Sequence, residues 1–143
     1  MSKRPREVGG LTIGRLARAA DVGADTIRFY ERSGLLCAAG RTAAGYRVFD
    51  VSQVDRVRFI RRAKDLGFTL EEIARLLALS VGGQAGDVRR IAQRRLAEVH
   101  RKLSELSRTR DALEALVHQC RDDAPAAACP IIRALAPEKA CND

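Results

Sequence analysis

Apolar residues recur at helical spacing through most of the chain, and the breaks between those runs divide it into elements. Thr12 precedes the first run, where its hydroxyl can cap a helix over residues 13–20 with Leu16 and Ala20 on one face. The Asp21-Val22-Gly23 break leads into a second short helix, residues 24–32. Two short helices joined by a tight turn form a helix-turn-helix. After Ser33-Gly34-Leu35-Leu36 comes a stretch rich in glycine and alanine through Gly40 and Gly45. The extended run Tyr46-Arg47-Val48-Phe49, closed by Asp50, then reads as a small β-wing. Asp50 is placed to cap a third helix to about Leu66, with Val54, Val57, Phe59 and Ile60 as apolar positions and Gly67 as its left-handed end. Thr69-Leu70-Glu71-Glu72 fits a capping box, opening a fourth helix with Ile73, Leu76 and Leu77 inward. The segment 80–86 carries three glycines and separates this domain, residues 11–79, from the C-terminal half of the chain.

From Asp87 to Cys120 there is neither proline nor glycine, which allows one helix of roughly 34 residues, about 50 Å long. Positions 92, 96, 99, 103, 106, 110, 113, 117 and 120 step by alternating four and three. They hold Ala92, Leu96, Val99, Leu103, Leu106, Arg110, Leu113, Val117 and Cys120, so only Arg110 interrupts an apolar seam. Four heptads of this kind predict a coiled-coil homodimer through the helix 86–119. In an antiparallel register, Ala85, five heptads before Cys120, faces Cys120 of the partner chain.

Charge adds a partner. The 143 residues carry a formal net charge of +8, and residues 1–68 hold 14 Lys and Arg against 7 Asp and Glu. A basic excess on a helix-turn-helix suits a polyanion, and double-stranded DNA is the expected one. The second helix would lie in the major groove while the wing grips phosphates. Thr26, Arg28, Phe29, Tyr30 and Arg32 crowd that helix, Arg41, Tyr46 and Arg47 crowd the wing, and Arg15 stands on the first helix; these are the expected DNA-binding residues. No enzyme is expected, because the chain has no phosphate loop, no nucleophile with a base at recognisable spacing and no paired catalytic carboxylates. No run of apolar residues could span a bilayer and the start lacks a secretory h-region, so a cytoplasmic protein without a membrane partner is expected.

The runs LTIGRLA (residues 11–17), TIRFYERSGLL (26–36), GYRVF (45–49) and RFIRRAKDLGFTLEEI (58–73) closely resemble the MerR family of transcriptional regulators. The resemblance implies a homodimer on an inverted repeat between promoter elements, bending and untwisting an over-long spacer so that RNA polymerase can engage. Two rigidly linked grips suit such a deformation. The fold expected is all-α, mainly helical: a winged helix-turn-helix domain, a long antiparallel coiled-coil dimerisation helix and a short C-terminal metal-binding loop. Residues 1–10 and 136–143 are expected to be a disordered basic N-terminus and a flexible tail.

Of four cysteines, all but Cys37 lie in the last 24 residues. Cys120 and Cys129 bracket an eight-residue loop, and Pro130 can open a short helix over the segment to residue 135, leaving Cys129 at its N-terminus. There the backbone favours thiolate, the form that binds soft metal ions. The loop resembles the metal-binding loop of the family's metal sensors. In that resemblance, sensors of divalent mercury, zinc, cadmium or lead carry a third cysteine at the position of Ala85, while those of copper(I), silver(I) or gold(I) carry serine. Alanine cannot ligate, so two thiolates and a linear monovalent ion are favoured. Mercury(II) also accepts two thiolates, and an eight-residue loop resembles that of mercury and lead sensors. Cys141 is a possible additional ligand. Cys37, beside Leu35 and Leu36, is expected to pack as a small hydrophobe, and His100 and His118 to be solvated. A thiol redox or electrophile sensor in the same fold is the alternative to metal binding. A regulator of organic ligands is disfavoured, since only 23 residues follow Cys120.

Overall fold

Helix α1 (Ile13–Ala20) starts where Thr12 holds an extended backbone and its hydroxyl accepts from the Arg15 N–H at 3.4 Å. It ends at Asp21, which takes the left-handed conformation (φ 56°), and the Val22 N–H closes back on the Ala17 carbonyl at 2.9 Å. That reversal launches α2 (Ala24–Arg32) and completes the helix-turn-helix. In this computed structural model residues 10–137 are described; the expectations for residues 1–9 and 138–143, Cys141 among them, lie outside the described residues.

The wing is part of a three-stranded antiparallel sheet. Strands β1 (Leu11–Thr12), β2 (Gly40–Arg41) and β3 (Arg47–Phe49) lie in the order β1-β3-β2, pairing Leu11 with Phe49 and Arg41 with Arg47. Two residues are too few for an alternation signal, so β1 leaves no trace in the sequence pattern. Gly10 permits it, because a Cβ there would come 1.7 Å from Val48 Cγ1.

Asp50 does not cap α3 directly. Its carboxylate accepts from the Ser52 N–H at 2.8 Å and its carbonyl from the Gln53 N–H at 3.0 Å, making a turn from which α3 (Gln53–Asp65) starts later than the sequence suggested. Gly67, with φ 84°, ends α3 as expected. Phe59 is a correction: Val57, Ile60 and Ala63 form the buried stripe, and Phe59, two residues from Val57, lies off it and is exposed. The reciprocal capping box of Thr69 and Glu72 is present on α4 (Leu70–Gly82), with Ile73, Leu76 and Leu77 buried. Because α4 runs to Gly82 and α5 (Ala85–Gln119) begins three residues later, the separator expected over 80–86 shrinks to Gly83 and Gln84. Leu16, Ile27, Leu36, Phe49, Val57, Ile60 and Ile73 are the fully buried side chains of one core, each contributing roughly 1.5–3 kcal/mol by leaving water.

The chain divides into two compact units, one ending at Ala92 and the other beginning at Gln93. The wing, α1 to α4 and the start of α5 belong to the first. The second holds the rest of α5, a 3₁₀ turn at Ala126–Ala128 and α6 (Pro130–Leu135). No residue of α5 is buried, and Leu96, Val99, Leu103, Leu106, Leu113 and Val117 all stand exposed. No helix among the described residues is long and apolar enough to cross a membrane.

Candidate DNA-reading surface and thiol site

On α2 the helical period sends Ile27 and Tyr30 into the core and leaves Arg28, Phe29 and Arg32 outside, with Thr26 half-buried. Tyr30, expected on the reading face, is 4 % exposed; it is a core residue, and burial pushes its phenol pKa up, partly offset by Arg61. Its spacing of three from Ile27 was the available signal. Arg28 donates to Asp25 at 2.7 Å, but both groups are well exposed, so the pair is weak and its guanidinium can turn to a phosphate. Phe29 tilts against Tyr30 with ring centroids 6.0 Å apart, and the Lys64 ammonium lies 5.6 Å from the Phe29 ring centre.

Between α2 and the wing runs a cleft lined by Arg28, Arg32, Gly45, Tyr46 and Arg47, with Ile13 at its floor. Tyr46, 69 % exposed, and Arg47 form its wing side. Arg41 is held by donating to the Gly45 carbonyl at 3.2 Å, and Arg15 projects from α1 into solvent. This surface can accept a polyanion along a strip that is arginine-rich and carries two aromatic rings.

Three further arginines, two of them in the run 58–73 but none given a role by the sequence, fix this frame from α3. Arg58 donates to the Ala19 carbonyl at 2.9 Å, Arg61 to the Asp21 carbonyl at 2.6 Å, and Arg56 to the Leu35 carbonyl at 2.6 Å. Arg58 and Arg61 thereby place cations at the C-terminal end of α1, where its carbonyls lack helical partners. Their partners lie 21 to 40 positions away, which no local pattern reveals. Cys37 is also a correction. The chain leaves the core after Leu36 to reach the sheet, the Ala39 N–H bonding to the Val48 carbonyl at 2.7 Å, and Cys37 is exposed.

In the second unit, Cys120 ends α5 with its N–H on the Leu116 and Val117 carbonyls, both at 3.1 Å. A turn through Arg121–Ala124, Pro125 and the 3₁₀ turn reverses the chain, and Cys129 becomes the N-cap of α6 with Pro130 in its first turn, as expected. The two sulfurs meet at 3.1 Å. The Cys129 thiol is held below its ordinary pKa, first by the hydrogen bond from Cys120 and then by the Ile132 and Ile131 N–H groups; Cys120 is pushed up as the donor of that bond. The contact and the turn into α6 thus favour a shared proton, with the bias toward thiolate on the Cys129 side.

With metal–sulfur bonds of about 2.3 Å, a linear ion needs the sulfurs about 4.6 Å apart and a tetrahedral one about 3.8 Å, so either requires the loop to open slightly. The donor set fits a soft ion. No group of three His, Cys, Asp or Glu that could hold a metal occurs among the described residues, and His100 and His118 are exposed. Among the described residues one chain thus brings two thiols together. Ala85 opens α5, exposed, with no ligating group.

The family described as MerR HTH family regulatory protein matches residues 11–80, and a MerR DNA-binding family matches residues 54–116. The chain is 38% identical over 134 residues to a mercuric resistance operon regulatory protein of Serratia marcescens, covering 94% of this chain and 93% of that one. It is 38% identical over 128 residues to the HTH-type transcriptional regulator HmrR of Sinorhizobium medicae, covering 88% and 86%. Among solved structures, the transcription regulator PbrR691 from Ralstonia metallidurans CH34, in complex with lead(II), superposes with a TM-score of 0.79 at 33% identity, over 88% of this chain and 99% of that one. HiNmlR, a MerR family regulator lacking the sensor domain and bound to promoter DNA, gives 0.51 at 25% identity, over 76% and 88%.

Proposed function

This chain belongs to the MerR family of helix-turn-helix transcriptional regulators, and from that premise we propose that it is a metal-responsive one. As a homodimer it binds an inverted-repeat operator in promoter DNA, and a soft metal ion held by Cys120 and Cys129 switches it to a form that distorts the operator so that RNA polymerase engages. The observation that carries the metal reading is the meeting of the two sulfurs at 3.1 Å, with Cys129 biased toward thiolate. Arg15, Thr26, Arg28, Phe29, Arg32, Arg41, Tyr46 and Arg47 are the proposed DNA contacts, Tyr30 acting through the core instead. The unburied seam of α5 supports a coiled-coil dimer, since a helix with six exposed large aliphatic side chains at heptad spacing is expected to bury them against a second copy, and we take the antiparallel sense from the register that sets residue 85 beside residue 120.

Two facts of different kinds bear on the ion. The names of the relatives, mercuric regulators and a lead(II) complex, favour mercury(II). Ala85 favours two-coordinate ions, copper(I), silver(I) and gold(I) among them. Mercury(II) satisfies both and is the first expectation; the monovalent ions are the second. Titration of the reduced protein and of its Ala85→Cys variant with each ion, under competing thiol and followed by the thiolate-to-metal ultraviolet bands, separates them. The variant is expected to gain roughly tenfold or more for lead(II) and cadmium(II), which take a third thiolate, and little for copper(I). No gain for any divalent ion would mean that residue 85 does not face the thiol pair across the dimer.

A further inference from the structure

Glu31 is an acid in a basic neighbourhood. It sits one residue before the end of α2, its side chain only 15 % exposed, and its Oε1 accepts from an Arg47 guanidinium nitrogen on β3, sixteen residues along the chain. Its second oxygen, Oε2, is buried and has no hydrogen-bond partner. Arg41 and Arg47 line a cleft with it, Arg28 and Arg32 stand on the same helix, and a carboxylate near the path of a phosphate backbone weakens DNA binding unless it does something else. What it does follows from Arg47. That side chain borders two clefts, one on the Glu31 side with Cys37 and Arg41, the other on the reading side with Arg28, Arg32 and Tyr46. It is 47 % exposed, so donors remain for a second acceptor.

We infer that Glu31 is a positioning residue: holding one guanidinium nitrogen of Arg47, it fixes the wing against α2 and presents the remaining donors of Arg47 to a DNA phosphate. A two-sided fork of this kind suits arginine, whose planar group can bridge a carboxylate and a phosphate at once. Phe49 and the pairing with β1 anchor the C-terminal end of β3, but the rest of the wing is short and exposed, β2 having two residues and Tyr46 standing 69 % exposed just before β3. Ordering Arg47 in advance removes a side-chain entropy cost from DNA binding. The inference rests on the reading of Arg47 as a DNA contact.

The test uses the full-length dimer and an operator fragment that the wild-type protein has selected from random duplexes. Glu31→Ala and Arg47→Ala are each expected to weaken operator binding about tenfold or more. Both are also expected to make the dependence of log affinity on log salt shallower, by about 0.9 per phosphate that is no longer neutralised. The double variant should bind no more weakly than Arg47→Ala alone, because the two residues act as one unit. Glu31→Gln, which keeps an acceptor, should recover part of the loss. Operator binding unchanged or tightened in Glu31→Ala, while Arg47→Ala weakens it, would make Glu31 a repelling charge and overturn the inference. A Glu31→Ala variant that only melts earlier, with its salt slope intact, or whose loss adds in full to that of Arg47→Ala, overturns it as well. If Arg47→Ala itself binds normally, it is the DNA-contact reading that fails, and the inference falls with it.

Discussion

Cys129→Ser is expected to abolish the metal response while leaving operator binding within a few-fold of wild type. The hydroxyl is a hard, protonated donor at neutral pH where the thiol is a soft one that ionises, and the site has no third ligand among the described residues to compensate. The loss in metal affinity should exceed the roughly 10–100-fold that outer-shell changes cost, because Cys129 is proposed as a direct ligand and one of two thiols that meet among the described residues. Cys129 is the more telling of the pair. Its thiol is held below its ordinary pKa, first by the contact with Cys120 and then by the Ile132 and Ile131 N–H groups, whereas the Cys120 thiol is pushed up. None of the proposed DNA contacts lies between residues 93 and 137, so the variant should still fold, dimerise and occupy its operator. Metal-dependent transcription from that operator, measured with polymerase in vitro, should fall to the metal-free level. A Cys129→Ser protein that still activates with mercury(II) or copper(I) would place the ion elsewhere. Activation by oxidant without metal, lost in the same variant, would turn the thiol pair into a redox sensor.

Leu103→Glu should dissociate the dimer and collapse operator affinity. In the antiparallel register that sets residue 85 beside residue 120, the two-fold axis falls between positions 102 and 103, so the two Leu103 side chains meet near it. Replacing both removes roughly 1.5–3 kcal/mol of apolar burial per side chain and brings two carboxylates together. The dimer dissociation constant should rise by about a hundredfold or more. A monomer grips one half-site instead of two linked ones and loses the effective concentration that the coiled coil supplies. Sedimentation reads the first effect and operator titration the second. Helicity should change little, since Leu103 is 58 % exposed in the single chain. An intact dimer carrying Leu103→Glu would refute the seam.

The helices were legible because their ends are written in local rules, while β1, two residues long, was not. Thr12, the Thr69–Glu72 box, Gly67 and Pro130 each act within a turn of where they stand, and the helices begin or end beside them. Sequence and structure part where two local rules compete or where a distant contact decides. Asp50 could cap a helix or close a turn, and the turn prevailed. Tyr30 is polar enough to look like a reading residue, yet its spacing from Ile27 already put it inside. Cys37 follows two buried leucines, but the chain's exit toward β3 lifts it into solvent. The arginine bonds from α3 and the Glu31–Arg47 pair join residues 16 to 40 positions apart, and charge at those separations carries no periodic trace. The thiol site was legible in its residues and in the α6 cap, and only the structure gave the sulfur contact.

Whether the metal acts by reshaping DNA is decided by chemical footprinting of the operator spacer, with the reduced dimer bound, before and after one equivalent of mercury(II) per Cys120–Cys129 pair. Protection of both half-sites should stay unchanged, and a new reactivity at the spacer centre should appear with the metal and be absent in Cys129→Ser. Identical spacer reactivity with and without the ion, at full occupancy of the thiol pair, would contradict a metal-driven distortion.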